Sequence, residues 1–158
     1  MYTFASKIPA AIYLQDFSLV SDSVTYCRWV FPKAYSWYTP DHMGDAAIGS
    51  KIFSAVTGIA TTEDEMVTSV GEKGWNLERM ILVREGRRRK NDGYNDTVFE
   101  RNKAWLSKET FRKAMDEYYT ARGWDLETGI PKREKLEELN LEYSADEMEQ
   151  KYGIKVPA

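Results

Sequence analysis

The segment from residue 62 to residue 92 constrains the fold more than any other part of the chain, because it predicts one long helix. Thr62 and Glu65 have the spacing of a capping box, in which a hydroxyl and a carboxylate each accept a backbone N–H at the start of a helix. Apolar residues then recur with a helical period at Met66, Val70, Leu77 and Ile81. We therefore expect a long central helix that buries these four side chains.

Two glycines lie on or beside the same face of this predicted helix. Gly71 and Gly74 each weaken an isolated helix by about 1 kcal/mol. Their position therefore predicts either a second backbone packed closely against the helix or a junction between two helices. Gly86 is expected to end the helix, and a solvated basic segment, Arg87–Lys90, follows it.

Helical patterns also fill most of the remaining chain, whereas no segment has the alternation of a β-strand. The further predicted helices are one between residues 9 and 20, one over 45–57 with Asp45 as N-cap, one from Ser107 to about Arg122, a short one starting at Pro131, and a last one opened by a Ser144–Glu147 capping box. Residues 93–105 show no period and are predicted to form a loop. The sequence thus predicts an all-α fold, an irregular multi-helix domain covering residues 1–158 with a long central helix.

The composition favours a soluble cytoplasmic protein. A net charge of −3 and a single short basic run argue against a nucleic-acid partner. No apolar run approaches the roughly 20 residues that span a bilayer, so no membrane partner is expected. The first 17 residues lack the charged and apolar regions of a signal peptide. One cysteine among 158 residues excludes an intrachain disulfide and fits a reducing compartment.

The lone cysteine has two possible roles when the residues are considered alone. Free cysteine usually packs as a small buried hydrophobe, which is the simpler interpretation of Cys27. A thiolate nucleophile would need a base, and His42 is the only histidine, although nothing in the spacing brings the two together. Between them, residues 29–38 form an aromatic loop that either covers the domain's own core or faces a partner or a pocket.

Four motifs occur in an order that resembles the C-terminal part of the tungsten-dependent aldehyde ferredoxin oxidoreductase family. Asp22, five residues before Cys27, is similar to that family's second pterin-contacting motif. The other matching segments are Val56–Gly58 with Thr62, Glu63 and Glu65; Glu78–Arg79 with Val83–Gly86, Arg89 and Asp92; and Tyr118–Tyr119 with Arg122–Asp125 and Gly129–Pro131. Together the motifs extend from residue 22 to residue 131.

The resemblance implies a role in a larger redox enzyme. In that family a tungsten ion held by two pterins, with a nearby [4Fe–4S] cluster, oxidises an aldehyde to a carboxylate and passes electrons to ferredoxin. By resemblance Asp22 would contact a pterin and Cys27 would ligate the cluster, while no catalytic residue is assigned. The partners would be the remainder of the enzyme and ferredoxin. Tungsten and molybdenum are not distinguished.

This sequence also departs from the family pattern. The glycine that usually lies between the aspartate and the cysteine is absent, since residues 24–26 are Val-Thr-Tyr. The first pterin motif, three cluster cysteines and the N-terminal sheet domain have no counterpart, so the chain is expected to be a fragment, a separate subunit or an excised domain. Alone, it should be inactive and bind neither tungsten nor cluster. The alternatives are a non-catalytic helical interaction module and part of a benzoyl-CoA-reductase-like relative.

Overall fold

The central helix forms where the sequence predicts it, with one irregular segment. A computed structural model describes residues 7–27, 45, 47–104 and 106–158, and in it this helix comprises α3 (Glu63–Met66), a π-helical segment (Val67–Glu72) and α4 (Lys73–Arg84). The predicted capping box is confirmed: the Thr62 N–H donates to Glu65 Oε2 at 2.7 Å, and the Glu65 N–H donates to Thr62 Oγ1 at 3.3 Å.

The buried face of the helix differs from the predicted one after the π-helical segment. A π turn holds more residues than an α turn, so it rotates the side chains that follow relative to those before it. Met66 is buried and Leu77 packs against the core, but Ile81 is 44% exposed, so its predicted burial is wrong. The residues that α4 does bury are Asn76, Arg79, Met80 and Val83.

The two helix glycines lie where another helix comes very close. A Cβ atom at Gly71 would lie 2.6 Å from the carbonyl oxygen of Asp16 in α1 (Lys7–Ser23). A Cβ at Gly74 would lie 2.1 Å from a methyl carbon of Leu19 in the same helix. Both distances are far below van der Waals contact. The prediction of a close approach at these glycines is therefore confirmed.

Short helices make up the rest of the described chain. They are α2 (Ile48–Thr57), a 3-10 turn (Arg89–Asn91), α5 (Asp96–Arg101), α6 (Lys108–Arg122), α7 (Arg133–Glu138) and α8 (Glu142–Tyr152). Within the described ranges there is no β-strand, only an isolated bridge between Trp124 and Pro131, so the all-α prediction is confirmed. No helix in these ranges has both the length and the apolar character needed to cross a bilayer.

Several predicted helix starts are wrong by a few residues. α2 begins at Ile48, because Asp45 accepts the N–H of Ala47 rather than capping the helix itself. α8 begins at Glu142, and the Ser144 hydroxyl donates to the Leu141 carbonyl instead of forming a capping box. The start of α7 follows Lys132 and not Pro131. α5, capped by the Asn95 side chain, lies in the segment predicted as a loop.

The chain divides into two compact units. One comprises Met1–Ile12 with Asn76–Ala158, and the other comprises Tyr13–Trp75. The larger unit has an apolar core formed by Met80, Val83, Ile130, Leu136, Leu139, Leu141, Ala145, Met148 and Val156. The smaller unit buries Val20 and Met66 and contains both predicted site residues, Asp22 and Cys27.

Candidate functional site

Residues 22–27, which we call the Cys27 turn, form a Schellman motif at the end of α1. The Tyr26 N–H donates to the Ser21 carbonyl at 2.7 Å, and the Thr25 N–H donates to the Asp22 carbonyl at 3.3 Å. This motif needs a left-handed residue, and Thr25 takes that conformation with φ 62°. Glycine normally fills this position, and a β-branched residue there is strained. The turn is thus held by backbone hydrogen bonds despite an unfavourable residue.

Both predicted cofactor-binding residues are exposed on this turn. Cys27 is a free, exposed thiol, so its interpretation as a buried core residue is wrong. Asp22 is also exposed and lies in the last turn of α1, which contains no basic residue. A carboxylate there meets the negative end of the helix dipole, which is unfavourable by about 0.3–1 kcal/mol.

Tyr26 fastens the Cys27 turn to α2. Its hydroxyl donates to the Gly49 carbonyl, in the first turn of that helix, at 2.7 Å. Burial raises the pKa of Tyr26, and the negative charge of Glu63 raises it further, so the phenol stays protonated as a donor. The residue directly before Cys27 therefore fixes the turn in place.

Glu63 has a role that the sequence did not reveal. Its carboxylate accepts the backbone N–H of Ser50 and so caps α2, whose own N-cap residue, Ala47, offers no side-chain cap. Burial raises the pKa of Glu63, and the charges of Asp64 and Asp45 raise it further. Glu63 Oε1 is shielded from solvent and has no hydrogen-bond partner among the described residues. Only the three-dimensional structure places this carboxylate beside a helix that begins 15 residues earlier.

A second group of motif residues forms a buried cluster in the larger unit. Arg79 in α4 binds Asp92 through two hydrogen bonds, from Nη1 to Oδ1 at 3.1 Å and from Nη2 to Oδ2 at 2.6 Å. Arg79 Nε donates to the Gly129 carbonyl at 2.8 Å. The two side chains are only 5% and 10% exposed, so this is a buried ion pair. We call Arg79, Asp92, Tyr119, Trp124 and Gly129 the Arg79 cluster.

Asp92 is the shared acceptor of this cluster. Besides the two bonds from Arg79, it accepts one from Arg87 Nε at 2.6 Å and one from the Tyr119 hydroxyl. Burial alone would raise the pKa of Asp92, but the hydrogen bonds from Arg79, Tyr119 and Arg87 outweigh it and lower the pKa. Burial and the bond to Asp92 raise the pKa of Tyr119 well above its ordinary value. The carboxylate is thus charged and fully paired, which is typical of a structural ion pair.

Trp124 and Gly129 complete the packing around Arg79. The guanidinium carbon of Arg79 lies 4.7 Å from the centre of a Trp124 ring, whose Nε1 donates to Asn76 Oδ1 at 2.8 Å. Gly129 has φ +71°, and a Cβ there would lie 2.5 Å from Arg79 Nη2. Only glycine fits both the conformation and the space. Residues of the third and fourth sequence motifs therefore meet in this cluster.

Comparison with known proteins identifies the family. The family sequence model described as "Aldehyde ferredoxin oxidoreductase, domains 2 & 3" matches residues 1–141. The chain belongs to the aldehyde ferredoxin oxidoreductase family. A solved structure of the active-site complex BamBC of benzoyl-coenzyme A reductase with 1,5-dienoyl-CoA has a similar fold, with a TM-score of 0.59 and 24% identity. The match covers 73% of the present chain and 16% of the reductase chain.

The described residues of this aldehyde ferredoxin oxidoreductase family member do not form a metal centre by themselves. In those residues no three His, Cys, Asp or Glu side chains come together as a metal site. Asp22 and Cys27 share one exposed turn, a donor set suited to one hydrogen-bonding contact and one thiolate ligand. His42 and the aromatic loop over 29–38 lie outside the described residues, so the structure does not test whether His42 approaches Cys27.

Proposed function

We propose that residues 1–158 form the C-terminal helical domain of an aldehyde ferredoxin oxidoreductase-like tungstopterin enzyme, with Asp22 as a pterin contact and Cys27 as a ligand of a [4Fe–4S] cluster. When bound, the tungsten pterin would supply the redox chemistry that converts an aldehyde to a carboxylate, and the cluster would pass the electrons to ferredoxin. The observation that carries the proposal is the Cys27 turn itself, which holds Thr25 in a left-handed conformation and presents an exposed thiol.

Cys27 suits the role of a single cluster ligand. A thiolate can bind iron only if the cluster can reach it, and Cys27 is exposed at the end of a turn fixed by Tyr26. A [4Fe–4S] cluster takes four thiolates, whereas this chain has one cysteine. The other three ligands must therefore come from the rest of the enzyme, and the chain alone is expected to be inactive and free of tungsten and cluster.

Asp22 suits the role of a binding and orienting residue. An ionised carboxylate accepts two hydrogen bonds, which matches the amino and ring N–H donors on one edge of a pterin. Its position at the carboxyl end of α1 is unfavourable within the chain, and donors from a cofactor would offset that cost. Because Asp22 and Cys27 lie on the same turn, one segment of six residues would connect the pterin to the cluster. Neither residue is assigned a proton-transfer step.

The proposed partners follow from the same assignment. The remainder of the enzyme would provide the first pterin motif and the other cluster ligands, and ferredoxin would accept the electrons. We place the assembly in the cytoplasm, where a thiolate such as Cys27 stays reduced.

The second candidate function is that of a benzoyl-CoA-reductase-like relative. The fold similarity to the BamBC complex, over 73% of this chain, is the observation that favours it. The roles of Asp22 and Cys27 would be the same, and the substrate would change. Assays of the complete enzyme with an aldehyde and with an aromatic acyl-CoA, each with reduced or oxidised ferredoxin, distinguish the two candidates.

Thiol labelling of Cys27 tests the proposed function without relying on activity. In the isolated chain, an alkylating reagent should modify Cys27 rapidly under native conditions. In the assembled enzyme that holds its cluster, Cys27 should be protected until the cluster is destroyed by oxidation and chelation. A Cys27→Ser chain in the same assembly identifies labelling of any other thiol. Rapid labelling of Cys27 in the cluster-loaded assembly would exclude it as a ligand, and labelling only after global unfolding would favour a helical interaction module.

A further inference from the structure

Three apolar side chains in α2 and just after it are exposed to solvent. Val56 is 80% exposed, Ile59 is 60% exposed and Ile52 is 39% exposed. Ile52 and Val56 are four residues apart and so lie on one side of the helix. The described part of the chain leaves both side chains exposed. We call Ile52, Val56 and Ile59 the α2 patch.

No charged residue interrupts the segment that holds the α2 patch. Residues 52–62 contain no acidic or basic side chain, in a chain in which 30% of residues are charged. The backbone after α2 is also well defined: Gly58 caps the helix in the left-handed conformation, and the Ile59 N–H donates to Thr57 Oγ1 at 3.1 Å. Isolated exposed apolar residues are common, but a contiguous uncharged group is typical of an interface.

The patch lies on the helix that anchors the Cys27 turn. Gly49, whose carbonyl accepts the Tyr26 hydroxyl, belongs to the first turn of α2, and the helix extends from there through Ile52 to Val56. At a rise of about 1.5 Å per residue, Val56 lies roughly 10 Å along the helix from Gly49. A protein surface that brings cluster ligands to Cys27 would therefore also contact the α2 patch, which is the adjacent surface along this helix.

We infer that the α2 patch docks against the first domain of the aldehyde ferredoxin oxidoreductase-type enzyme. The matching family model comprises domains 2 and 3, which implies a domain 1 beyond the matched region, and the similar reductase chain extends far beyond the 16% that is matched. An apolar, uncharged face suits a permanent interface with such a domain rather than a transient contact with a charged carrier protein. The inference rests on the proposed function, because it names the surface through which the rest of the enzyme reaches the Cys27 turn.

Site-specific cross-linking tests this inference in the full chain expressed in its own cells. Val56 is replaced by the photo-cross-linker p-benzoylphenylalanine, and the cross-linked peptides are sequenced by mass spectrometry. We expect the partner peptide to come from a polypeptide that matches the family's first domain, whether joined to this chain or separate from it. The matched control places the probe at Tyr143, which is 55% exposed in the larger unit and should not give that cross-link. Cross-links to a second copy, to residues 1–158 of the same chain, or to no protein would overturn the inference.

A charge substitution provides an independent measurement. Val56→Asp should leave the melting temperature of the isolated chain essentially unchanged, because the side chain is exposed. The same substitution should weaken association with the first domain on the order of tenfold or more, as expected for a central apolar contact. Tyr143→Asp is the control and should not affect association. Unchanged binding of Val56→Asp would contradict the docking. The experiments also distinguish the docking inference from the proposed function. A cross-link from Val56 to the first domain, together with a Cys27 that is not protected from labelling, would support the interface and reject the ligand role of Cys27.

Discussion

The Cys27 turn and the Arg79 cluster both contain residues of the family motifs, yet they differ in exposure. Arg79 and Asp92 are buried and bind each other through two hydrogen bonds, with Tyr119 and Arg87 adding two more. In the Cys27 turn the thiol is exposed, and Thr25 adopts a conformation that suits glycine. Contacts inside this chain thus account for the buried cluster.

This difference separates structural motif residues from functional candidates. Loss of any partner in a buried, paired cluster leaves an uncompensated charge, so the fold alone restricts those positions. In the Cys27 turn, by contrast, the thiol is exposed and Thr25 adopts a left-handed conformation that opposes stability. Such local conflicts are expected where a chain serves a ligand or a partner. The contrast therefore favours Asp22 and Cys27 over the more numerous motif residues as the cofactor contacts.

The largest expected effect is in the Arg79 cluster. Arg79→Leu removes one charge and leaves Asp92 buried without its bidentate partner, which should lower the free energy of unfolding by about 3–5 kcal/mol. Urea unfolding followed by circular dichroism measures it. Arg84→Leu, on the exposed side of the same helix, removes a solvent-exposed pair with Glu85 and serves as the control, with little change expected. If the two variants are equally stable, the cluster does not hold this unit together.

The pH dependence of stability should have opposite signs in the two units. The pKa of Asp92 is lowered, so its charge stabilises the fold above its unfolded pKa of about 3.9, and this contribution is lost as the pH falls through the folded pKa. The pKa of Glu63 is raised, so its contribution is complete below its unfolded pKa of about 4.3 and is lost as the pH rises through the folded pKa.

Two neutral variants measure these contributions. The advantage of the wild type over Asp92→Asn should shrink as the pH falls below about 4, whereas its advantage over Glu63→Gln should shrink as the pH rises from about 4 towards neutrality. Urea midpoints across this range give both differences. Parallel pH profiles for the two variants would contradict the distinction between a paired carboxylate and one that is shielded and only partly hydrogen-bonded.

The sequence predicted features that depend on neighbouring residues. The Thr62–Glu65 capping box requires only residues within one helical turn, and it is confirmed. The exposure of Ile81 was missed, because the π-helical segment alters the phase of the helix through packing that no local pattern encodes. The cap that Glu63 provides for Ser50 and the pairing of Arg79 with Gly129 were also missed, since each joins residues from separate elements.

The candidate site was predicted only in part. The motif resemblance selected Asp22 and Cys27, and the structure puts both on one exposed turn. The residue chemistry alone favoured a buried Cys27, because free cysteine is usually buried and the sequence contains no sign that α1 ends in a Schellman motif with threonine in the left-handed position. The strain at Thr25 could be recognised only from the backbone conformation.

The smallest expected effect concerns the strain at Thr25, where a substitution should raise the free energy of unfolding instead of lowering it. A β-branched residue in the left-handed conformation is disfavoured by roughly 1–2 kcal/mol, and the greater freedom of glycine in the unfolded chain offsets about 0.5–1 kcal/mol of the gain. Thr25→Gly should therefore raise the free energy of unfolding by up to about 1 kcal/mol, measured in urea. Thr25→Ala keeps a Cβ and should give less. Asn140→Gly is the matched control, because Asn140 has φ 53° and asparagine tolerates this conformation well. A loss of stability in Thr25→Gly, or an equal gain in Asn140→Gly, would mean that the Cys27 turn stores no special strain, and its contrast with the Arg79 cluster would then depend on exposure alone.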